Sequence, residues 1–244
     1  MAATQSPFGL LARWHPSGQA RSNQYENVLI SGQTPNIYYG TPVCLAVGAG
    51  TATPKVNNGN AQSVTVTVAS GQVVLVPVFS ATAATCPVLG SFAGCEYTDL
   101  NGRRQYSKFW TSGLATYSGT YTIAYVWDDP ENVYEIQCDG ALNTGTNAYE
   151  FYGRQANLNS VDLGAGTAPA GNAIPIGQSA QRLSATLVTA NGVTLQSSNA
   201  GQFVIVQTPD INNTAGNITD AFPSVYVKVN AHQQKSPIGI VASI

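Results

Sequence analysis

Short apolar runs recur along this chain roughly every dozen residues, each bounded by Gly, Pro or Asn-Gly punctuation, and none carries a sustained 3.6-residue period. That pattern constrains the fold more than any other feature. The clearest case is Ser63–Val68, where Val64, Val66 and Val68 fall on one face of a strand and Thr65 and Thr67 on the other. Beyond a Ser70-Gly71 turn, Val73–Phe79 is almost continuously apolar and fits a strand covered on both sides. Further strands are expected over Asn27–Ile30, Asn36–Tyr39, Pro42–Ala46, Leu89–Thr98, Gln105–Trp110, Tyr121–Trp127 and Val133–Cys138. A second set follows at Leu183–Thr189, Val193–Gln196, Phe203–Gln207, Val225–Val229 and Ile238–Ala242. Asn101-Gly102 is a strong hairpin turn, and Pro130 inside Asp128–Asn132 bars the ladder from continuing there. The fold class expected is therefore all-β, a barrel or sandwich of short strands with an extended N-terminal arm and little helix. Short helical turns are expected only at Tyr149–Asn157 and Ile218–Phe222.

Composition shifts divide the chain into an arm over 1–25, a main β domain over 26–158, a linker or long loop over 159–181, and a C-terminal β segment over 182–244. The last of these either stands alone as a small domain or closes on the main one. The arm is rich in Pro, Gly and Gln, and offers Phe8, Leu10, Leu11 and Trp14 as anchors; it reads as a frayed terminus or as a strap laid on a neighbour. The first residues have no basic n-region and too short an apolar stretch for a secretory signal, so the expectation is a protein made and kept in the cytosol or in something assembled there. No apolar run is long enough for a membrane helix, and no membrane partner is expected.

Charge is scarce: Asp, Glu, Lys and Arg make up 9% of the 244 residues, against about 25% in an ordinary soluble domain. A surface of Ser, Thr, Asn, Gln and Gly is cheaper to desolvate than a charged one, so the chain suits extensive contact with neighbours. The net charge of −2 supplies no basic field for a nucleic-acid backbone, and no nucleic-acid partner is expected.

The supply of catalytic groups is small. The two histidines are His15 and His232, and neither stands at metal-ligand spacing with a carboxylate. No nucleophile elbow and no phosphate-binding glycine loop occur. Asp128, Asp129, Glu131, Glu135 and Asp139 form the densest acidic group, which reads first as a tight turn and second as a calcium or glycosidase site. Arg103, Arg104 and Lys108 make a basic spot at a hairpin tip, either solvated or matched to an acidic patch on a neighbour. Cys44, Cys86, Cys95 and Cys138 read as buried thiols, with a Cys86–Cys95 bridge the alternative. Tyr38, Tyr39, Tyr117, Tyr121 and Tyr125 suit an interface or a sugar-stacking face. No catalytic residue, metal or cofactor is expected.

The stretches Asn36–Val43, Leu89–Arg103, Ser107–Trp110, Tyr125–Pro130 and Val227–His232 together resemble a family of tailed-bacteriophage virion proteins, the head decoration or cement proteins. The matching segments cover about a quarter of the chain, in the same order. The resemblance implies a non-enzymatic protein, made in the bacterial cytoplasm, that binds the major capsid protein on the outer surface of the virion head and reinforces the shell against packaged DNA. It implies a homo-oligomer as well, a trimer or dimer. Under this reading Phe8, Leu10, Leu11, Trp14, Arg103, Arg104, Lys108, Asp128 and Asp129 are the candidate contacts with capsid or neighbour. A tail, baseplate or fibre component is the alternative, and a carbohydrate-binding module a second one.

Overall fold

A computed structural model describes residues 8–32, 34, 36–47, 56–57, 63–64, 72–78, 87–142, 151–159, 177–179, 181–185, 201–208, 221–230 and 232–235. The protein is all-β. Among the described residues helix is confined to a single 3₁₀ position at Phe151. Two large antiparallel sheets carry the fold, and neither closes into a barrel. The first is ordered β1 (Leu11–Trp14), β10 (Val133–Gln137), β15 (Ser224–Val229), β14 (Phe203–Gln207), β11 (Gln155–Ala156). The second is ordered β2 (Asn23–Glu26), β9 (Ile123–Trp127), β7 (Gly90–Thr98), β3 (Pro42–Val47), β6 (Val73–Pro77), with β8 (Arg104–Ser107) paired to β7. Two-stranded ribbons are formed by β4 (Val56–Asn57) with β5 (Ser63–Val64), and by β12 (Leu158–Asn159) with β13 (Arg182–Leu183).

Period-two patterning decides which faces are buried. In β15, Val225, Val227 and Val229 point into a core with Tyr134, Ile136, Phe203 and Ile205, while Ser224, Tyr226 and Lys228 face outward. In the second sheet Val43, Leu75, Phe92, Cys95, Ala124 and Val126 meet around Trp110 and Ile37. Strands β3 and β6 also bury their other face, where Ala46 packs with Val74 and Val76. This two-sided burial of Val74, Leu75 and Val76 matches the apolar run read from the sequence. The second sheet curls: β2 runs on into Asn27 and Val28, and the Leu75 N–H of β6 donates to the Val28 carbonyl at 2.9 Å, stitching opposite edges without a closing ladder.

Close backbone contacts hold the two cores together. Trp127, at the end of β9, packs on the first core, and the Tyr134 hydroxyl donates to its carbonyl at 2.6 Å. Ser91 Oγ donates to the Leu10 carbonyl. Gly90 is required at this junction, because a Cβ there would lie 2.0 Å from the Trp127 carbonyl oxygen. A bulge between Phe92 and Gly94, with Gly94 at φ 137°, lets β7 switch from β3 to β8 along its length.

Several expectations need correction. Residues 8–26 hold two strands on either side of a tight turn at His15–Gly18, and both strands are spent inside the chain: β1 pairs with β10 and β2 with β9. The described part of the arm is therefore an edge strand of each large sheet instead of a strap. The expected strand at Asn27–Ile30 begins earlier, and Asn27 at φ 56° ends it. Over 36–39 only isolated bridges form, Ile37 with Trp110 and Tyr39 with Gln178. Of the expected helix at Tyr149–Asn157, Tyr149 and Glu150 lie outside the described residues, and from Phe151 the chain makes a turn closed by Gly153 at φ 79°, followed by β11, whose register on β14 wins over local helix preference. Ala221 and Phe222 sit in a bend, and Ile218, Thr219 and Asp220 of the other expected turn lie outside the described residues, as do Thr65–Val68, Ser70-Gly71, Val193–Gln196 and Ile238–Ala242. Strands β14 and β15 share a sheet with β1 and β10, so the C-terminal strands close on the main body. Cys95 and Cys138 are buried thiols, and Cys86 lies outside the described residues.

Candidate interaction surface

The β7–β8 hairpin is built around one carboxylate. Asp99 Oδ1 accepts the Asn101 and Arg103 N–H groups, both at 2.9 Å, and its Oδ2 accepts Gln105 Nε2 at 2.9 Å. Gly102 takes the left-handed position at φ 77°. Backbone donation from Arg103, first among several hydrogen bonds, holds the Asp99 carboxyl below its ordinary range. Glu96 lies two residues inside the hairpin, 4% exposed, with Arg104 as its ion-pair partner and the Tyr125 hydroxyl donating to it at 3.0 Å. Lys108 places its ammonium 5.6 Å from the centre of the Tyr39 ring. Arg103, Arg104 and Lys108 are all exposed, and Arg104 and Lys108 have partners in the same chain.

Strand register shows what the hairpin presents. Glu96 lies opposite Tyr106 on one side and Ile123 on the other, and Gly94 opposite Tyr125. Directly opposed residues share a face. Since Cys95, Ala124 and Val126 point into the core, Glu96, Tyr106, Ile123 and Tyr125 form the outer face. Tyr106 is 71% exposed, Tyr121 67%, Leu100 64%, Tyr117 50% and Phe109 43%; these large exposed apolar side chains all fall between residues 100 and 121. The Tyr117 N–H donates to the Thr98 carbonyl at 3.0 Å, which ties the 111–121 segment to the hairpin base. Tyr106, Leu100 and Phe109 were not singled out from the sequence as an exposed group. The Asn-Gly turn is the signal that places them, through the register it sets.

The acidic turn does different work. Asp128 is 1% exposed and accepts both Asn23 Nδ2, at 2.9 and 3.0 Å, and the Tyr25 hydroxyl. Burial and then the Asp128 carboxylate push the Tyr25 phenol well above its usual range. Asp129 shapes the turn, accepting the Glu131 N–H through Oδ1 at 2.9 Å and the Asn132 N–H through its carbonyl at 3.0 Å; His15 Nε2 lies 3.4 Å from its Oδ1. Glu131 binds Lys228 and Lys235, and these hydrogen bonds, Lys235 first, draw its pKa down to about 2. Glu135 pairs with Arg13, and Asp139 accepts the Ala185 N–H at 2.7 Å. Among the described residues no three His, Cys, Asp or Glu side chains gather closely enough to share a metal ion.

The arm residues also turn inward. Leu10 is fully buried in the first core, Phe8 and Leu11 are half-buried, and Trp14 meets Tyr226 edge-on at 4.6 Å. Of the nine predicted contact residues, Arg103, Arg104 and Lys108 stand on the exposed hairpin, Asp129 is half-buried in its turn, and Leu10 and Asp128 have no surface to offer.

A clasp near the C-terminal end went unpredicted. Gln233 binds the Leu45 backbone twice, N–H to Oε1 and Nε2 to carbonyl, each at 2.8 Å, and its own N–H donates to the Val88 carbonyl at 2.9 Å. Gln234 Nε2 donates to the Tyr25 hydroxyl at 3.0 Å. His232 is 1% exposed; Nδ1 accepts the Gln234 N–H at 3.1 Å and Nε2 is buried without a partner. Set against family models, characterised proteins and solved structures, the chain matches none.

Proposed function

We propose that the chain is a non-enzymatic structural protein of a phage virion that decorates the outside of the capsid head and reinforces it. The observation that carries this reading is the exposed aromatic surface of the β7–β8–β9 region, where Tyr106 and Tyr125 flank the Glu96–Arg104 ion pair on a hydrogen-bonded sheet and exposed Tyr117 and Tyr121 lie in the segment bonded to the hairpin base. Rigid, amphipathic tyrosines give contact area at low entropic cost. The low overall charge keeps desolvation of the surrounding surface cheap. Many weak copies on a lattice then bind firmly by multivalency. Imaging gold-labelled protein on virions that carry it tests the reading: label over the head surface supports it, and label confined to the tail replaces it with a tail, baseplate or fibre role. Tyr106→Ser with Tyr121→Ser is expected to lower head occupancy at least tenfold while leaving the fold intact.

A specific observation favours one other reading, a carbohydrate-binding module. An open groove of about 580 Å³ is lined by Glu26 and by neutral side chains that include Asn27, Ser31, Gln72, Thr116 and Thr120, the last two next in sequence to Tyr117 and Tyr121. Stacking rings next to hydroxyl and amide groups suit a neutral glycan. A glycan array decides it: binding that disappears in Tyr121→Ala establishes a glycan site, and silence across the array removes it.

A further inference from the structure

Strand β8 pairs with β7 on one side only. The phase of its ladder follows from two bonds: the Asp99 N–H donates to the Arg103 carbonyl, and the Thr98 carbonyl faces the other way to accept the Tyr117 N–H. Alternation then directs the backbone groups of Gln105 and Ser107 toward β7, and those of Arg104 and Tyr106 outward. Among the described residues nothing pairs with these outward groups, and Tyr106 is 71% exposed. A sheet edge of this kind is a template for another strand.

We propose that this edge pairs antiparallel with the same edge of a second copy, about a two-fold axis through Gln105, joining the two copies' second sheets into one continuous sheet. The register is selected by charge. Only residues 104 and 106 have outward groups, so a two-fold pairing centres on 104, 105 or 106. An axis at 104 sets Arg104 against its own mate, and an axis at 106 sets Arg104 against Lys108; like charges directly opposed destabilise a sheet. An axis at 105 sets Arg104 against Tyr106 and Arg103 against Ser107, uses every outward N–H and C=O, and places each guanidinium beside an aromatic ring. The same axis carries exposed Leu100, five residues before it, toward exposed Phe109, four residues after it, on the other copy. The interface is isologous, as a two-fold dimer requires. It does not depend on the capsid reading.

Two measurements test it independently. By sedimentation equilibrium the full chain is expected to pass from monomer to dimer as concentration rises through the micromolar-to-millimolar range of a small interface. Tyr106→Pro removes an outward N–H that β7 does not use, so the hairpin keeps its internal ladder; it is expected to raise the dimer dissociation constant at least tenfold, with circular dichroism confirming the fold. Oxidising Gln105→Cys should yield a disulfide dimer, since residues facing each other across such an axis lie about 4.5 Å apart at Cα. Arg103→Cys, about 14 Å from its mate in this register, should not rise above the wild-type background. A chain that stays monomeric at every concentration overturns the proposal, and so does cross-linking at 103 that equals or exceeds that at 105.

Discussion

Single residues in this protein are costly where a polar group has been buried with a fixed set of partners. Asp128 is 1% exposed, and removing its carboxylate takes away the acceptor of the half-buried Tyr25 hydroxyl and of Asn23 Nδ2. Asp128→Ala is therefore expected to cost about 3 kcal/mol in urea unfolding, although the sequence offers the residue as one more acid in a surface turn. His232 sets the pH response. Burial, opposed by the nearby Asp128 and Leu89 backbone and by the Asp128 and Asp129 charges, holds its pKa below the ordinary value of about 6.5. As pH falls through about 6.5 the unfolded chain takes up a proton that the folded chain does not, so stability declines from there down to the folded pKa. Glu131 acts in a lower window: its stabilisation is present above about pH 4.3 and is lost as pH falls toward about 2. His232→Asn keeps an acceptor for the Gln234 N–H, and thermal melts at about pH 7 and about pH 5.5 should lie closer together in that variant than in wild type.

At the scale of elements, the strands legible in the sequence are those with apolar periodicity. Strands β3, β6, β7, β9, β10, β14 and β15 all appear within a few residues of their expected places, because burial on one or both faces writes a pattern of Val, Ile and Phe into them. Strands β1 and β2 were illegible for a physical reason. They are edge strands, and Asn23–Glu26 buries too little to need an apolar stripe; backbone pairing with β9 and the Asn23 and Tyr25 bonds to Asp128 define it. The outer face was half legible: Asn101-Gly102 announced the hairpin, but the gathering of Tyr106, Ile123 and Tyr125 around Glu96 depends on two ladders that local sequence does not encode. Two substitutions check this picture. Leu10→Ala, harmless in a free arm, is expected to cost about 3 kcal/mol because the residue belongs to the first core. Gly90→Ala should cost at least about 2 kcal/mol, since its methyl group meets backbone that cannot swing aside.

For the whole molecule, the prediction is a separation of roles. The exposed side chains of the 100–121 stretch can change with little effect on folding: Tyr106→Ser and Tyr121→Ser should each move stability by no more than about 0.5 kcal/mol, read from the urea midpoint, whereas buried Trp110 and the junction at Gly90, Asp128 and Tyr134 tolerate little. The order of strands in the first sheet also acts in time. Strand β10 lies between β1, at residues 11–14, and β15, at residues 224–229. During synthesis β10 emerges with only its β1 partner made; about 90 further residues separate it from β15, which at 5–20 residues per second is a wait of roughly 5–20 s. Through that interval an apolar strand with one open edge is exposed in the cell, on a topology whose non-local pairings close slowly. Slower translation does not shorten the wait, but lower temperature and chaperone occupancy protect the waiting edge, and soluble yield should rise with both.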